Sequence, residues 1–307
     1  MAVTPDQEFP MSYDVIIIGG SFAGMSAALQ LARARRPILV VDAGHPRNRF
    51  ADASHGFLGQ DGVAPATIMR EALRQLSAYP SVDFIHGQAT SATGELDRFE
   101  VVLEAGAAHA ARRLVLATGV ADTLPDIPGL AERWGQSVMH CPYCHGYEVR
   151  DRRIGVLANH PMSSHQALML PDWGPTTFFT QGMVAVDEEL AAKLAARGVA
   201  VETTAIVEVL GEGLAISGVR LADGRSVALE AIFTAPQTAP ASPLAAQLNC
   251  AFEDGMTGQH VKLEAGQLTT VPGVYSAGDA ASPMHNATLA SAAGVMAGIG
   301  AHQSLIF

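Results

Sequence analysis

The apolar positions near the start of the chain form unbroken runs rather than an alternating pattern. Residues 13–18 are mostly apolar, a small-residue segment follows at once, and residues 25–35 predict a helix. Residues 37–41 form a second apolar run that ends at Asp42. Continuous apolar runs of this length are typical of strands that are covered on both faces, as in parallel sheets. The pattern predicts a strand, a turn, a helix and a strand in that order.

The turn between this first strand and its helix has the composition of a dinucleotide-binding loop. Residues 19–24 read Gly-Gly-Ser-Phe-Ala-Gly. Gly19 permits a tight turn, the helix N-terminus favours a pyrophosphate, and Asp42 is placed to accept from a ribose hydroxyl. Ser21 replaces the middle glycine of the usual G-x-G-x-x-G pattern, and its small side chain still lets a phosphate approach.

Two later strand ends have related patterns. Residues 114–119 form an apolar strand that ends in a small-residue turn. Residues 269–279 form a short strand that ends in Gly-Asp, before a helix predicted from about Ala287. An acid at such a strand end can meet the ribityl chain of a flavin. Either segment alone is also compatible with an ordinary strand end.

A cysteine pair, Cys141 and Cys144, lies in the stretch 139–148, which reads Met-His-Cys-Pro-Tyr-Cys-His-Gly-Tyr-Glu. Cysteines separated by two residues can close a local disulfide, and such a thiolate often has a lowered pKa. His140 and His145 offer proton carriers near neutral pH. The pattern predicts a redox-active dithiol. An inert buried pair and a two-Cys two-His metal clip are the alternatives, and the short spacing disfavours the clip, so no metal is expected.

The second half of the chain repeats the opening pattern in a degenerate form. A strand is predicted at 153–157, a helix from about Met162 and a second strand at 177–179. Further strands are predicted at 84–90, 99–103, 113–117, 201–209, 216–221 and 228–235, with a hairpin turn at Asp223-Gly224. The predicted fold class is α/β, with two Rossmann-like dinucleotide-binding domains.

In this order and spacing, the segments resemble the low-molecular-weight thioredoxin reductases, flavoproteins with two dinucleotide-binding domains. The resemblance covers about residues 13–302 and implies FAD as the cofactor and a homodimer. It implies an FAD-binding domain made of residues 1–121 and 243–307, with residues 122–242 inserted as a degenerate NAD(P)-type domain that carries the cysteine pair. The motifs and the resemblance together place these residues at the FAD site: Gly19, Ser21, Phe22, Ala23, Gly24, Asp42, Ala43, Arg47, Asn48, Ala89, Ala117, Thr118, Gly119, Gly278, Asp279, Asn286 and Ala287.

The inserted domain departs from the thioredoxin reductase pattern. In that family it binds NADPH through its own glycine fingerprint. The corresponding positions here are Ala158, His160 and Ser163. Residues 180–182 (Thr-Gln-Gly) stand where the family has a His-Arg-Arg run for the 2′-phosphate, and no Lys or Arg occurs between Arg153 and Lys193. A phosphate without cationic partners loses charge-assisted bonds of about 1.5–3 kcal/mol each. Inefficient use of NADPH and NADH is therefore expected.

The cysteine segment resembles a subgroup of the same fold, the dithiol oxidases that close disulfides in gliotoxin and holomycin biosynthesis. The residues that match their motif are His140, Cys141, Cys144, His145, Gly146, Tyr147 and Glu148. The resemblance implies that Cys141 exchanges with a dithiol and Cys144 faces the flavin, while His145 and His140 handle protons. Electrons then pass to FAD and to oxygen or another non-nicotinamide acceptor. An NADPH-dependent thioredoxin reductase is the main alternative, and a flavin-binding scaffold with a vestigial insert is another.

Composition agrees with a two-domain enzyme. The 307 residues are 49% hydrophobic and 16% charged, and the net charge of −11 argues against nucleic acid or an anionic membrane as a partner. The expected partner is a small-molecule or protein dithiol. Residues 1–11 predict a polar tail rather than an export leader, so a cytoplasmic location is expected. The apolar stretches 15–32 and 287–305 are interpreted as buried α/β elements.

A few remaining residues carry weaker predictions. His285 is a candidate third proton carrier or a helix cap, and Cys250 is predicted to be a structural thiol. Trp134 and Trp173 are predicted to be packing residues. His55 and Asp61, in the loop after Arg47, are weaker candidates for contact with the cofactor.

Overall fold

The computed structural model describes residues 12–307, and the tail predicted at residues 1–11 lies outside the described residues. The chain divides into two compact units. Unit 1 contains the residues up to Arg47, residues 66–121 and residues 239–307, and unit 2 contains residues 48–65 and 122–238. The segment 48–65 thus packs with unit 2, whereas the sequence-based division puts it in the first domain.

The described residues form nineteen strands and seven α-helices. The strands are β1 (Ser12–Ile18), β2 (Ile38–Asp42), β3 (Val82–His86), β4 (Ala89–Glu95), β5 (Arg98–Leu103), β6 (Ala108–Leu116), β7 (Val120–Thr123), β8 (Val138–Met139), β9 (Ile154–Leu157), β10 (Thr176–Phe179), β11 (Ala200–Glu202), β12 (Ile206–Leu210), β13 (Gly218–Leu221), β14 (Ser226–Val227), β15 (Ala231–Phe233), β16 (Gln237–Pro240), β17 (Phe252–Asp254), β18 (Gln259–Val261) and β19 (Val274–Ser276). The helices are α1 (Phe22–Arg33), α2 (Pro65–Leu76), α3 (Pro142–His145), α4 (Ser163–Met169), α5 (Glu188–Ala196), α6 (Leu244–Gln247) and α7 (Ala287–Ser304).

Unit 1 is built on a parallel sheet in the order β3-β2-β1-β6, with β19 also paired to the end of β6. Ile17 in β1 lies opposite Val40 in β2 and Val115 in β6. These central strands are fully buried because both faces of the sheet are covered, which explains their unbroken apolar sequence. Antiparallel β4 and β5 extend the sheet beyond the first half of β6.

The helices α1 and α7 of unit 1 pack together at unusually close range. A Cβ atom at Gly294 would lie 2.0 Å from the Ala23 carbonyl oxygen, and one at Gly298 would lie 2.7 Å from the Ala27 carbonyl oxygen. Only glycine lets the two helix backbones approach in this way. The helix that was predicted from about Ala287 is confirmed, and its glycines have a packing role.

Unit 2 repeats the parallel arrangement with the strand order β11-β10-β9-β15-β8. A small antiparallel sheet of β12, β13 and β14 accompanies it, and the predicted hairpin turn at Asp223-Gly224 joins β13 to β14. Both units therefore contain a parallel sheet with β1 or β9 in its interior. The predicted α/β class with two dinucleotide-binding domains is confirmed.

Two of the predicted strands are wrong in extent. The single strand predicted at 84–90 is in fact the end of β3 and the start of β4, separated at residues 87–88. The strand predicted at 201–209 likewise divides into β11 and β12, because the chain turns at residues 203–205. In both cases a short turn of small or polar residues interrupts the predicted strand, at Gly87-Gln88 and at residues 203–205.

The first of the two long apolar stretches is a buried strand, a turn and a helix, as predicted. The second is α7, which is only partly buried, with Leu289 and Met296 exposed. None of the helices in the described part of the chain combines the length and the apolar character needed to cross a bilayer.

We expect the variant Gly294→Ala to be less stable than the parent. Alanine gains up to about 1 kcal/mol in helix propensity, but its methyl group collides with a backbone carbonyl that cannot rotate away. Overpacking of this kind costs about 1–3 kcal/mol, so a net loss in the free energy of unfolding is expected in urea titrations. Thr288→Ala, at an exposed position of the same helix, is the control. Equal stability of the two variants would contradict the packing argument.

Candidate active site

The predicted cofactor residues of unit 1 gather where parallel strands end. Gly19 follows β1, Ala117 follows β6 and Gly278 lies just after β19. The Ala117 amide donates to the Ile18 carbonyl at 2.8 Å, which holds two of these strand ends together. Ligands of open α/β sheets bind at this edge, where the strand order reverses.

The turn after β1 leaves a cradle without side chains. Gly19 has φ +106°, and a Cβ atom there would lie 2.2 Å from the Ala117 carbonyl oxygen. A Cβ atom at Gly24 would lie 1.7 Å from the Gly19 carbonyl oxygen. Ser21 is the N-cap of α1, but its hydroxyl makes no capping hydrogen bond. The positive end of a three-turn helix thus faces uncluttered backbone, which fits the pyrophosphate of a dinucleotide.

Two carboxylates border this cradle. The Asp42 Oδ1 atom accepts from the Gly20 amide at 2.9 Å, which leaves Oδ2 as the oxygen that can accept from a ribose hydroxyl. The Asp279 Oδ2 atom accepts from Arg47 Nη1 at 3.0 Å, and both of these side chains are largely buried. The structure therefore brings together two predicted cofactor residues that are far apart in sequence.

The other predicted cofactor residues have varied positions. Asn286 caps α7, since its Oδ1 atom accepts from the Thr288 amide at 2.8 Å. Ala89 begins β4 and is buried in the core of the sheet. Asn48 belongs to unit 2. The contacts of these residues with a cofactor stay predictions, as do those of Phe22, Ala23, Ala43, Thr118, Gly119 and Ala287.

The corresponding turn of unit 2, after β9, is filled by its own side chains. Ser163 is 1% exposed, and its hydroxyl accepts from the Asn159 and His160 amides at 3.2 Å each. The His160 ring accepts from the Met162 amide at 3.1 Å. The Asn159 side chain donates to the Ala235 carbonyl at 3.3 Å and so links the turn to the segment after β15. The amides that would face a pyrophosphate here have intramolecular partners.

The polar side chains at the second half of the predicted nucleotide site are also engaged by neighbouring groups. Gln181, which follows β10, accepts from the Ile206 amide at 3.0 Å. Arg225 lies beside the end of β11 and is engaged by Glu202 at 2.8 Å and Asp223 at 2.7 Å. The Arg225 guanidinium lowers the pKa of Glu202 to about 2, as expected for a carboxylate held by such a pair.

Cys141 and Cys144 form a disulfide in unit 2. Cys141 is the N-cap of the single-turn helix α3, Pro142 is its first residue, and the Cys144 amide donates to the Cys141 carbonyl at 3.2 Å. Both cysteines are half-buried, so the inert buried pair is not what the structure contains. The local turn explains why two cysteines three residues apart reach disulfide geometry.

Aromatic side chains pack against residues that neighbour the two cysteines in sequence. The Trp134 ring lies against His140 with a centroid separation of 5.9 Å, and Trp173 meets Tyr143 edge-on at 5.8 Å. A Cβ atom at Gly146 would lie 2.8 Å from the Trp173 ring. The predicted packing role of the tryptophans is confirmed.

His145 follows the second cysteine directly and is half-buried. Burial lowers the pKa of His145 below its usual value, while the Glu148 carboxylate and the Cys141 carbonyl oppose this lowering. Among the described residues, none makes a well-aligned hydrogen bond to its buried Nδ1 atom. A ring in this environment is neutral near pH 7 and able to accept a proton.

Cys250, the remaining cysteine, is buried in unit 1. It is 5% exposed and donates to the Thr269 hydroxyl at 3.5 Å. Burial raises the pKa of this thiol, which disfavours the reactive thiolate. The predicted structural role is confirmed.

Comparisons with known proteins agree with this fold and site. Residues 13–158 match the family model described as pyridine nucleotide-disulphide oxidoreductase. The thioredoxin reductase tcpT of Claviceps purpurea is 34% identical over 299 residues, which span 93% of this chain and 92% of that protein. The thioredoxin reductase sirT of Leptosphaeria maculans is 30% identical over 310 residues, which span 95% and 94%.

Solved structures give the same result. An oxidoreductase from Agrobacterium tumefaciens has a TM-score of 0.93 and 52% identity, with 97% of this chain and 99% of that chain covered. HlmI has a TM-score of 0.89 and 37% identity, with 96% and 93% covered. Fold, disulfide and sequence together define a flavin-dependent disulfide oxidoreductase. The chain belongs to the pyridine nucleotide-disulphide oxidoreductases, among their thioredoxin-reductase-like members.

We expect His145 to titrate below about 6.5, the ordinary pKa of histidine, in NMR spectra of the oxidised protein. Glu148→Gln should lower the midpoint further, because it removes the carboxylate that favours the protonated ring. The His145→Gln spectrum assigns the signal among the eleven histidines. A midpoint that rises in Glu148→Gln would contradict this electrostatic account.

Proposed function

We propose that this chain binds FAD in unit 1 and oxidises a dithiol to a disulfide through Cys141 and Cys144, without a nicotinamide nucleotide as electron donor. The observation that carries the proposal is the turn after β9, where Ser163 and His160 occupy the backbone amides of the nucleotide site. The Cys141–Cys144 disulfide supports a reaction by thiol–disulfide exchange.

The choice of FAD is supported by the cradle of unit 1. The turn at residues 19–24 suits a pyrophosphate, and Asp42 follows at the end of β2, where a ribose of the adenosine half would lie. Arg47 and Asp279 complete the same edge. A flavin mononucleotide has no adenosine half for these groups to recognise.

The loss of nicotinamide binding follows from several small effects that act together. Each hydrogen bond from an amide to Ser163 is worth about 0.5–1.5 kcal/mol net, less than a charge-assisted bond to phosphate at about 1.5–3 kcal/mol. The loop bonds alone would therefore not exclude a pyrophosphate. Ser163 is buried, however, the Asn159 side chain bridges to Ala235, and Arg225 is held by two carboxylates. Binding would have to open this loop without gaining a cation for the 2′-phosphate.

The proposed reaction assigns roles to four side chains. One thiol of the substrate gives its proton to His145, and the resulting thiolate attacks Cys141, whose bond to Cys144 breaks. The second substrate thiol gives its proton to His140 and displaces Cys141, which closes the substrate disulfide and leaves both enzyme cysteines reduced. His140 and His145 return the two protons to the cysteine sulfurs. FAD held by the residues of the unit 1 cradle would supply the two-electron acceptor for the reduced cysteine pair, with oxygen or another non-nicotinamide acceptor as the final oxidant.

The main alternative is an NADPH-dependent thioredoxin reductase, and several relatives carry the name thioredoxin reductase. We expect anaerobic addition of dithiothreitol to bleach the flavin absorbance rapidly, whereas NADPH and NADH at equal concentration leave it unchanged. Rapid bleaching by micromolar NADPH would refute the proposal in favour of this alternative. Ser164→Ala is the matched control for Ser163→Ala, because only Ser163→Ala removes the hydroxyl that accepts from the loop amides.

Cys141→Ser and Cys144→Ser should each abolish oxidation of dithiothreitol under air, because a single thiol cannot close the internal disulfide. Both variants should stay yellow and release FAD on denaturation, since the cofactor cradle lies in unit 1. Cys250→Ser is the control, because that thiol is buried away from the disulfide in the other unit. Near-parent turnover in either active-site variant would show that the pair is structural.

A further inference from the structure

The loop formed by residues 48–65 packs within unit 2 and brings His55 to the segment that carries the cysteine pair. His55 Nε2 lies 3.5 Å from the Glu148 Oε1 atom. The other ring nitrogen, Nδ1, lies 3.6 Å from the Asp61 Oδ1 atom. The His55 side chain is 22% exposed, so both contacts lie in a partly desolvated place. Sequence motifs gave no indication of this arrangement.

The loop around His55 is held by its own hydrogen bonds. The Gly56 amide donates to Asp61 Oδ1 at 2.9 Å, which fixes the carboxylate on the far side of the ring. Ser54 and Val63 form a backbone bridge, with the Ser54 amide donating to the Val63 carbonyl at 2.8 Å. The Gln136 side chain donates to the Phe50 carbonyl and ties the loop to unit 2. His55 is therefore presented to Glu148 by an ordered turn.

We propose that His55 is a positioning residue for the dithiol reaction, which holds the Glu148 carboxylate beside His145 so that His145 can take up and return the thiol proton. This inference rests on the proposed function of the cysteine pair. His55 touches neither cysteine in this account, and no proton leaves or enters through it. The proton that His145 takes from the substrate thiol is the one that it returns to a cysteine sulfur.

Glu148 needs such a support because its side chain is 39% exposed. An exposed glutamate samples several rotamers, and fixing it in one of them costs side-chain entropy. A second contact made by a ring that is already ordered by Asp61 reduces the freedom left to Glu148. The carboxylate then stays within electrostatic range of His145 for a larger fraction of the time.

The charges around His145 determine in which direction its pKa should change when His55 is removed. Glu148 raises the pKa of His145, and the direct effect of His55 lowers it by a smaller amount. Asp61 acts on His55 from the far side, and Arg150 is turned towards the Tyr147 ring at 4.3 Å. If His55 positions Glu148, its removal lowers the pKa of His145, because the larger effect is lost. If His55 acts only by its own charge, its removal raises the pKa.

The test compares His55→Ala and His55→Gln in the flavin-loaded protein. We expect the NMR midpoint of His145 to fall in His55→Ala, in the same direction as in Glu148→Gln. Anaerobic flavin reduction by dithiothreitol should slow about 10-fold at neutral pH, a part of the about 10²–10⁴-fold that an acid–base group contributes. His55→Gln should recover part of the loss, because its amide can still donate to Glu148.

A double variant and a surface control sharpen the test. His55→Ala should have no further effect in the Glu148→Gln background, since the residue to be positioned is gone. His165→Ala, at an exposed position of α4, should match the parent in both measurements. An unchanged or raised His145 midpoint in His55→Ala would overturn the inference, and so would additive effects in the double variant. Bleaching of the flavin by NADPH would instead refute the proposed function. The His145 titration would then still test whether His55 positions Glu148.

Discussion

The close approach of backbone to backbone around the turn after β1 is the constraint on which the rest of unit 1 depends. The Gly19 carbonyl oxygen occupies the space where a Cβ atom of Gly24 would be, and the Ala23 carbonyl does the same at Gly294. These contacts pack α1 against β1 and α7 against α1. Because α7 begins eight residues after Asp279, its packing on α1 also fixes the strand end that carries this carboxylate. The shape of the cofactor cradle therefore depends on glycines, which have no side chain to keep the neighbouring backbone away.

The two units have similar parallel sheets but differ in the turn at which a dinucleotide would bind. Each has a strand in the middle of its parallel sheet, β1 or β9, that leads through a turn into a helix. In unit 1 the residues at that point are glycines, and the helix end stays uncovered by Ser21. In unit 2 the hydroxyl of Ser163 accepts from two amides of the turn, and the ring of His160 accepts from a third. The proposed difference in dinucleotide binding rests on which atoms the turn amides already face.

Much of this could be predicted from sequence because the decisive signals are local. The residues 19–24 and the cysteine pair each act within one turn, so their composition reports their geometry directly. The degenerate turn after β9 was also visible, although the sequence did not show that Ser163 would accept from the loop amides. The predicted strand limits were wrong at Gly87-Gln88, where a two-residue turn separates two strands that are close in sequence.

His55 shows what sequence reasoning could not reach. It lies more than ninety positions from Glu148 in the chain, and its nearest motif in sequence belongs to unit 1. Its proximity to Asp42 and Arg47 in sequence therefore pointed towards the cofactor, while the folded loop brings it to the cysteine segment. Such a contact depends on how residues 48–65 pack, and packing of a long loop leaves no periodic signature.

The proposed reaction needs a base in unit 2 that is neutral near pH 7. A substrate thiol with a pKa of about 8.5 is mostly protonated at neutral pH, so its attack on a disulfide needs a base. In the proposed mechanism His145 is that base, because burial lowers the pKa of its ring and keeps it neutral, while Glu148 and the Cys141 carbonyl limit how far its basicity falls. A lower pKa makes the ring a weaker base, so the Glu148 carboxylate, which raises this pKa, favours proton transfer from the thiol. The balance between burial and the Glu148 carboxylate would thus set how readily His145 accepts a thiol proton and releases it again.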